Sequence, residues 1–217
     1  MSQASAPSRH PGHGRVMNRR LGILISGRGS NLQAIIDAVA DGRLDAEIAV
    51  VISNRPDAHG LARAGAAGVE AICIDHTAYS SRAAFEDAVL EALRSRDVGL
   101  VCLAGFMRFL GAGFVTAYSN AILNIHPSLL PAFPGVDAQR QAWEHGVKVT
   151  GVTVHLVTVD LDGGPIVLQA PVPVHETDTP DTLAARILVE EHRLYPAAIG
   201  IVLEGGWRLE GRRFVRG

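Results

Sequence analysis

Between residues 20 and 104 the chain repeats one rhythm: a short, almost unbroken apolar run, then a stretch of helical period. The runs are LGILIS (21–26), EIAVVIS (47–53), EAICID (70–75) and VGLVCLA (98–104). Between them lie expected helices at 30–39, with Leu32, Ile35, Ile36 and Val39 on one face, at 57–67, and at 79–96. Strands apolar on both faces, separated by amphipathic helices, demand a parallel sheet covered on both sides. With right-handed crossovers this predicts an α/β fold of three layers whose N-terminal half is Rossmann-like.

After Gly105 the rhythm changes. AILNIHPSLLPAFPG (121–135) reads as a strand entering a Pro-rich loop. VTGVTVHLVTVD (149–160) and PIVLQAPVPV (165–174) alternate with period two, joined by LDGG. The parallel half is therefore expected to continue into a mixed sheet, helices still on both faces. A long helix at 179–203 and a short hairpin in the tail GGWRLEGRRFVRG complete the chain.

Residues 1–18 are rich in Ser, Pro, Gly and His without periodicity and read as a disordered extension, with Met17 an alternative start. Residues 19–217 then form one catalytic domain. The net charge is −2, and the basic residues, all Arg but Lys148, are spread along the chain and form no basic stripe for nucleic acid or a membrane surface. No apolar run approaches membrane-span length. Cys73 and Cys102 sit inside apolar runs and are expected as buried free thiols, which suits a reducing, cytoplasmic setting.

Ser26-Gly27-Arg28-Gly29-Ser30-Asn31 joins the first strand directly to a helix, so glycines and free helix N–H groups meet where an anion can sit. A plain tight turn capped by Ser30 or Asn31 is the bland alternative. The dinucleotide pattern fails: Leu32 replaces the third glycine, and the second strand ends in Ser53-Asn54 without a ribose-binding carboxylate. A monophosphate fits better.

Asn124 and His126 flank Ile125, so alternation puts both on one face at a strand's C-terminal end. Asp162, in the DLDGG turn, can return to the same place. Singly, each is more often structural. Beside a phosphate loop, an amide donor, an imidazole and a carboxylate suit acyl transfer to an amine. Asn124 and a cationic His126 donate to the tetrahedral oxyanion, while Asp162 favours the cation and accepts the amine's proton. Neither two-His helix spacing nor CxxC is present, so no metal is expected.

The segments ISGRGSNLQAII (25–36), LAGFMRFL (103–110), LNIHPSLLPAFPG (123–135) and GVTVHLVTVDLDGGPIVLQ (151–169) closely resemble the phosphoribosylglycinamide formyltransferase family. The resemblance runs from about Leu21 to the C-terminus. It implies formyl transfer from 10-formyltetrahydrofolate to glycinamide ribonucleotide in purine biosynthesis, by a monomer or homodimer. It implies a phosphate site at Gly29, Ser30 and Asn31, and a substrate wall at Leu188, Val189, Glu190 and Glu191, with Glu191 at the ribose hydroxyls. It implies a folate cleft between Met107, Arg108, Phe109 and Leu110 on one side and Thr158, Val159, Asp160, Leu161 and Asp162 on the other. Arg82 and Asn124 join the folate site. His126 takes the place of the general acid, Asn124 of the oxyanion donor, and Asp162 of the carboxylate that keeps the imidazole protonated.

Departures mark this chain. Asp137 and Gln139 replace a pair of histidines found in many relatives, and Asp137 is a second negative charge to consider near His126. Thr153 keeps a hydroxyl where some relatives have Ser, and His155 reads equally as a supporting or a packed histidine. Methionyl-tRNA formyltransferase would need a C-terminal tRNA-binding domain, and formyltetrahydrofolate deformylase an N-terminal regulatory one. A non-catalytic nucleotide-binding module would not need Asn124, His126 and Asp162 together.

Overall fold

A computed structural model describes residues 17–217. Of the expected disordered extension, residues 1–16 lie outside the described residues. Residues 17 and 18 do not belong to such an extension: Met17 packs against the core, and Asn18 Nδ2 donates to the Asp97 carbonyl at 2.8 Å.

The apolar runs form β1 (Arg20–Ile25), β2 (Glu47–Ser53), β3 (Ala71–Cys73) and β4 (Leu100–Leu103), all parallel, with β5 (Ile122–His126) added beside β4. β6 (Val149–Leu156) runs antiparallel to β5, and β7 (Ile166–Pro173) antiparallel to β6. The tail forms the hairpin β8 (Trp207–Glu210) and β9 (Arg213–Arg216), whose second strand pairs in parallel with β7. The sheet order is β3-β2-β1-β4-β5-β6-β7-β9-β8.

Along each strand, neighbours face different cores. Ile23 and Ile25 pack beneath α1 (Ser30–Ala40), α2 (His59–Ala66) and α6 (Pro180–Glu204); Leu24 packs on the other face with Phe85 and Leu93 of α3 (Arg82–Arg94). That alternation is why β1 is apolar at every position from Leu21 to Ile25. α6 begins where Thr179 accepts from the Thr182 N–H in a capping box. α3 starts three residues later than its periodicity suggests because Ser81 caps it, accepting from the Ala84 N–H. Two short helices, α4 (Ala112–Ala117) and α5 (Ala138–His145), lie on either side of the 121–135 segment, in stretches to which no element was assigned above.

The cysteines differ. Cys102 is fully buried, and burial pushes its thiol well up from the ordinary value. Cys73 is exposed, contrary to expectation, because β3 is a three-residue strand at the edge of the sheet, with no strand beyond it among the described residues.

From β1 the chain crosses outward to β2 and β3, then returns to β4 on the other side. The crevice beyond the C-terminal ends of β1 and β4 is thus a topological switch point, where ligands of open α/β sheets bind.

Candidate functional site

At that crevice Gly29 takes the cap position of α1 with φ 71°, and no side chain caps the helix. Ser30 and Asn31 therefore do not cap the turn, and the first-turn N–H groups carry no side-chain partner. A side chain at Gly29 has no room: its Cβ would lie 2.7 Å from the Gly60 Cα. Asn31, instead of capping, donates from Nδ2 to Glu191 Oε2 at 2.6 Å in a buried contact, and its own Oδ1 is buried without a partner. Burial raises the Glu191 carboxyl above its ordinary value, against the lowering effect of the Asn31 bond. The packing of α1 on α6 thus brings Gly29, Ser30 and Asn31 beside Glu191. A cleft of about 370 Å³ alongside is lined by Ser30, Gln33, Val189 and Arg193 among others. Leu188 is half-buried, Val189 exposed, and Glu190 paired with Arg193 at 2.7 Å.

The second cluster is built by β5 and β6, whose register sets Asn124 opposite His155 and His126 opposite Thr153. Asp162 comes back from the β6–β7 connection in a left-handed turn, φ 48°, which Asp tolerates better than most residues. Its Oδ2 accepts the Gly135 N–H at 2.8 Å and lies 3.6 Å from His126 Nδ1; its Oδ1 lies 3.7 Å from His155 Nε2. All three side chains are under 10% exposed.

Hydrogen-bond roles fix the proton positions. His126 Nε2 is 2.8 Å from the Phe133 carbonyl, which can only accept, so Nε2 carries a proton. Nδ1, beyond hydrogen-bond distance from Asp162, is the nitrogen left for a ligand. His155 Nδ1 donates to the Leu156 carbonyl at 3.0 Å, leaving bare Nε2 to accept from Asn124 Nδ2 at 3.2 Å. Burial pushes the His155 imidazole below its ordinary value, so it stays neutral and able to accept. Asn124 is thereby oriented with one N–H spare.

The Pro-rich loop is folded back over this cluster by Thr153. Its hydroxyl donates to the Ser128 carbonyl and accepts from the Leu130 N–H and Gln169 Nε2. His155 is thus both buried and in hydrogen-bond contact with Asn124, on the strand face it shares with Thr153. The contributions of Phe133 and Gly135 come through main-chain atoms and carry no side-chain signal. Asp137 is not a second charge for His126 in this geometry: its exposed carboxylate is taken by Arg140 at 3.1 Å.

Two apolar walls stand open nearby. After β4 the loop exposes Met107 (74%) and Phe109 (62%), while Arg108 lies over the Phe85 ring and Leu110 is half-buried. The β6–β7 connection exposes Val159 (66%), Leu161 (51%) and the polar Asp160, with Thr158 half-buried. Arg82, largely exposed at the start of α3, pairs loosely with Glu86 at 3.5 Å, and Glu86 accepts the Gly111 N–H at the first wall's end.

Sheet and edge together have the form of a Rossmann-like α/β transferase. Residues 19–199 match the family model described as formyl transferase, and the chain belongs to that family. It is 45% identical to the phosphoribosylglycinamide formyltransferase of Escherichia coli K12, over 84% of this chain and 86% of that protein. The bovine trifunctional purine biosynthetic protein adenosine-3 is 47% identical over 88% of this chain, which spans only 19% of that relative's length. Among solved structures, glycinamide ribonucleotide transformylase 1 of Symbiobacterium toebii superposes with a TM-score of 0.89 at 58% identity, covering 91% of this chain and 93% of that one. The phosphoribosylglycinamide formyltransferase of Coxiella burnetii gives 0.87 at 42%, covering 92% and 93%.

Proposed function

We propose that residues 19–217 form one catalytic unit that moves the formyl group of 10-formyltetrahydrofolate to the amino group of glycinamide ribonucleotide. The products are formylglycinamide ribonucleotide and tetrahydrofolate, and the step belongs to cytoplasmic purine biosynthesis. The observation that carries this reading is the meeting of an uncapped glycine loop, two open apolar walls and the Asn124–His126–Asp162 cluster beyond the ends of neighbouring central strands.

The ribonucleotide phosphate takes the N–H groups at Gly29, Ser30 and Asn31, and the ribose diol donates to Glu191, with Leu188, Val189 and Glu190 alongside. A flat pterin lies between Met107, Arg108, Phe109 and Leu110 and the wall from Thr158 to Asp162, with Arg82 towards the acidic end of the folate. The amine attacks the formyl carbon, forming a C–N bond and an oxyanion. The spare N–H of Asn124 and a proton on His126 Nδ1 stabilise that charge. The Asp162 carboxylate, 3.6 Å from Nδ1, takes up, directly or through water, the proton the amine loses. Collapse of the oxyanion breaks the bond to folate N10, which leaves as the amine on receiving, directly or through water, the proton Asp162 took from the attacking amine, so the carboxylate ends as it began. The scheme calls for no metal. Among the described residues, no helix is long and apolar enough to cross a membrane.

The test is to supply 10-formyltetrahydrofolate with glycinamide ribonucleotide, with methionyl-tRNA, or with buffer alone. The ribonucleotide should be formylated in step with tetrahydrofolate release. Equal release in buffer, or transfer to tRNA, would overturn the assignment.

A further inference from the structure

Ser53-Asn54 ends β2, where a dinucleotide-binding fold would put its ribose carboxylate, and neither side chain enters the scheme above. Both are buried, Asn54 at 3% exposure. Asn54 Oδ1 accepts from Ser26 Oγ at 2.6 Å, and Ser26 Oγ in turn accepts the Met107 N–H at 2.8 Å. The Ser26 N–H donates to the Gly105 carbonyl at 3.1 Å. The hydroxyl has one proton, and Asn54 receives it; the lone pair facing the β4 loop is then directed at Met107.

The same loop is held from its other side. His76 Nδ1 lies 2.9 Å from the Asn54 carbonyl and 3.2 Å from its Nδ2. The His76 ring meets Phe85 edge-on at 6.4 Å, and the Arg108 guanidinium sits 5.7 Å over that ring. The main chain at Met107 is thus pinned while its side chain is 74% exposed. A fixed backbone carrying an open apolar side chain is a wall ordered before its ligand arrives, which lowers the cost of binding.

We infer that Ser26, oriented by Asn54, is a positioning residue for the folate wall, linking the end of the phosphate loop to the main chain of Met107. This rests on the assignment of that wall to the reduced folate. A merely structural polar pair would lower stability and weaken both substrates alike.

The experiment compares wild type, Ser26→Ala, Asn54→Ala and the double variant. It reads calorimetric affinity for tetrahydrofolate, both Michaelis constants, turnover and melting temperature. Ser26→Ala should weaken tetrahydrofolate binding and raise the formylfolate KM by roughly three- to tenfold, the range of one lost hydrogen bond. The ribonucleotide KM should stay within about twofold, a change smaller than one such bond. Asn54→Ala should do less, and the double variant should fall short of the two effects combined, since both act through one hydroxyl. Unchanged tetrahydrofolate affinity in Ser26→Ala, or equal losses for both substrates, would overturn the inference. If wild type binds tetrahydrofolate but transfers no formyl group, the proposed reaction fails while affinity still reads the role of Ser26. A wild type that binds no tetrahydrofolate would sink both.

Discussion

The parallel half of the sheet and its antiparallel continuation build their parts of the site in opposite ways. At the end of β1, one unbroken stretch, 26–31, supplies the turn, the helix start and the uncapped first-turn N–H groups proposed to hold the phosphate. At the end of β5, the cluster is assembled from Asn124 and His126, main-chain atoms of Phe133 and Gly135, Thr153 and His155 across the ladder, and Asp162 from a later turn. The first is a binding surface made by local geometry; the second is a charge arrangement made by strand register. Damage to the first should therefore appear in affinity, and damage to the second in turnover.

The largest effect belongs to the second region. His126→Ala should lower turnover by roughly 10²–10⁴, the range of a lost general acid, with both Michaelis constants little changed. Near-normal turnover would remove the imidazole from the chemistry and blur the contrast between the halves.

Gly29→Ala probes the first region. At φ 71°, with its new Cβ 2.7 Å from the Gly60 Cα, alanine must push the loop away from α2. Losing one hydrogen bond to a charged phosphate costs about 1.5–3 kcal/mol, so the ribonucleotide KM should rise by about ten- to a hundredfold. Turnover at saturation should fall much less. An unchanged KM, or equal affinity of wild type for the nucleoside and the nucleotide, would contradict the phosphate assignment.

The smallest effect on activity is expected at Asp178, which serves neither region. Its carboxylate accepts from Arg186, Thr182 and the His175 N–H, locking the β7–α6 loop, and the Arg186 bonds hold it well below the usual carboxylate range. A carboxylate depressed in the folded state stabilises above its unfolded value, about 3.9, and that contribution fades as pH falls below it. Asp178→Asn should melt lower than wild type at neutral pH, the gap closing towards acid, with both Michaelis constants and turnover unchanged. A constant gap across pH would mean that packing, not charge, holds the loop.

The same contrast explains what could be read in advance. Doubly apolar strands at 21–26, 47–53 and 98–104 carry their own burial pattern, and Gly29-Ser30-Asn31 carries its own turn chemistry, so these parts of the parallel half were legible from local sequence. Asn124 and His126 shared a face by simple alternation, but His155 could not be given its role before the register set it opposite Asn124. The exposure of Cys73 depended on β3 being an edge, which is a property of the whole sheet. α4 and α5 were missed for a different reason: at six and eight residues they are too short for period to show.

Asp162 is where the account is most exposed, because a left-handed Asp in a turn has an ordinary explanation. Asn fits the same backbone conformation, and its Oδ1 can still accept the Gly135 N–H, so Asp162→Asn removes charge and little else. The decisive measurement is the turnover of this variant at saturating substrates, paired with its melting temperature. If the carboxylate works beside His126 and receives the amine's proton, turnover should fall by about 10²-fold or more while the melting point stays close to wild type. Full turnover with an unmoved melting point would show that Asp162 only makes the turn.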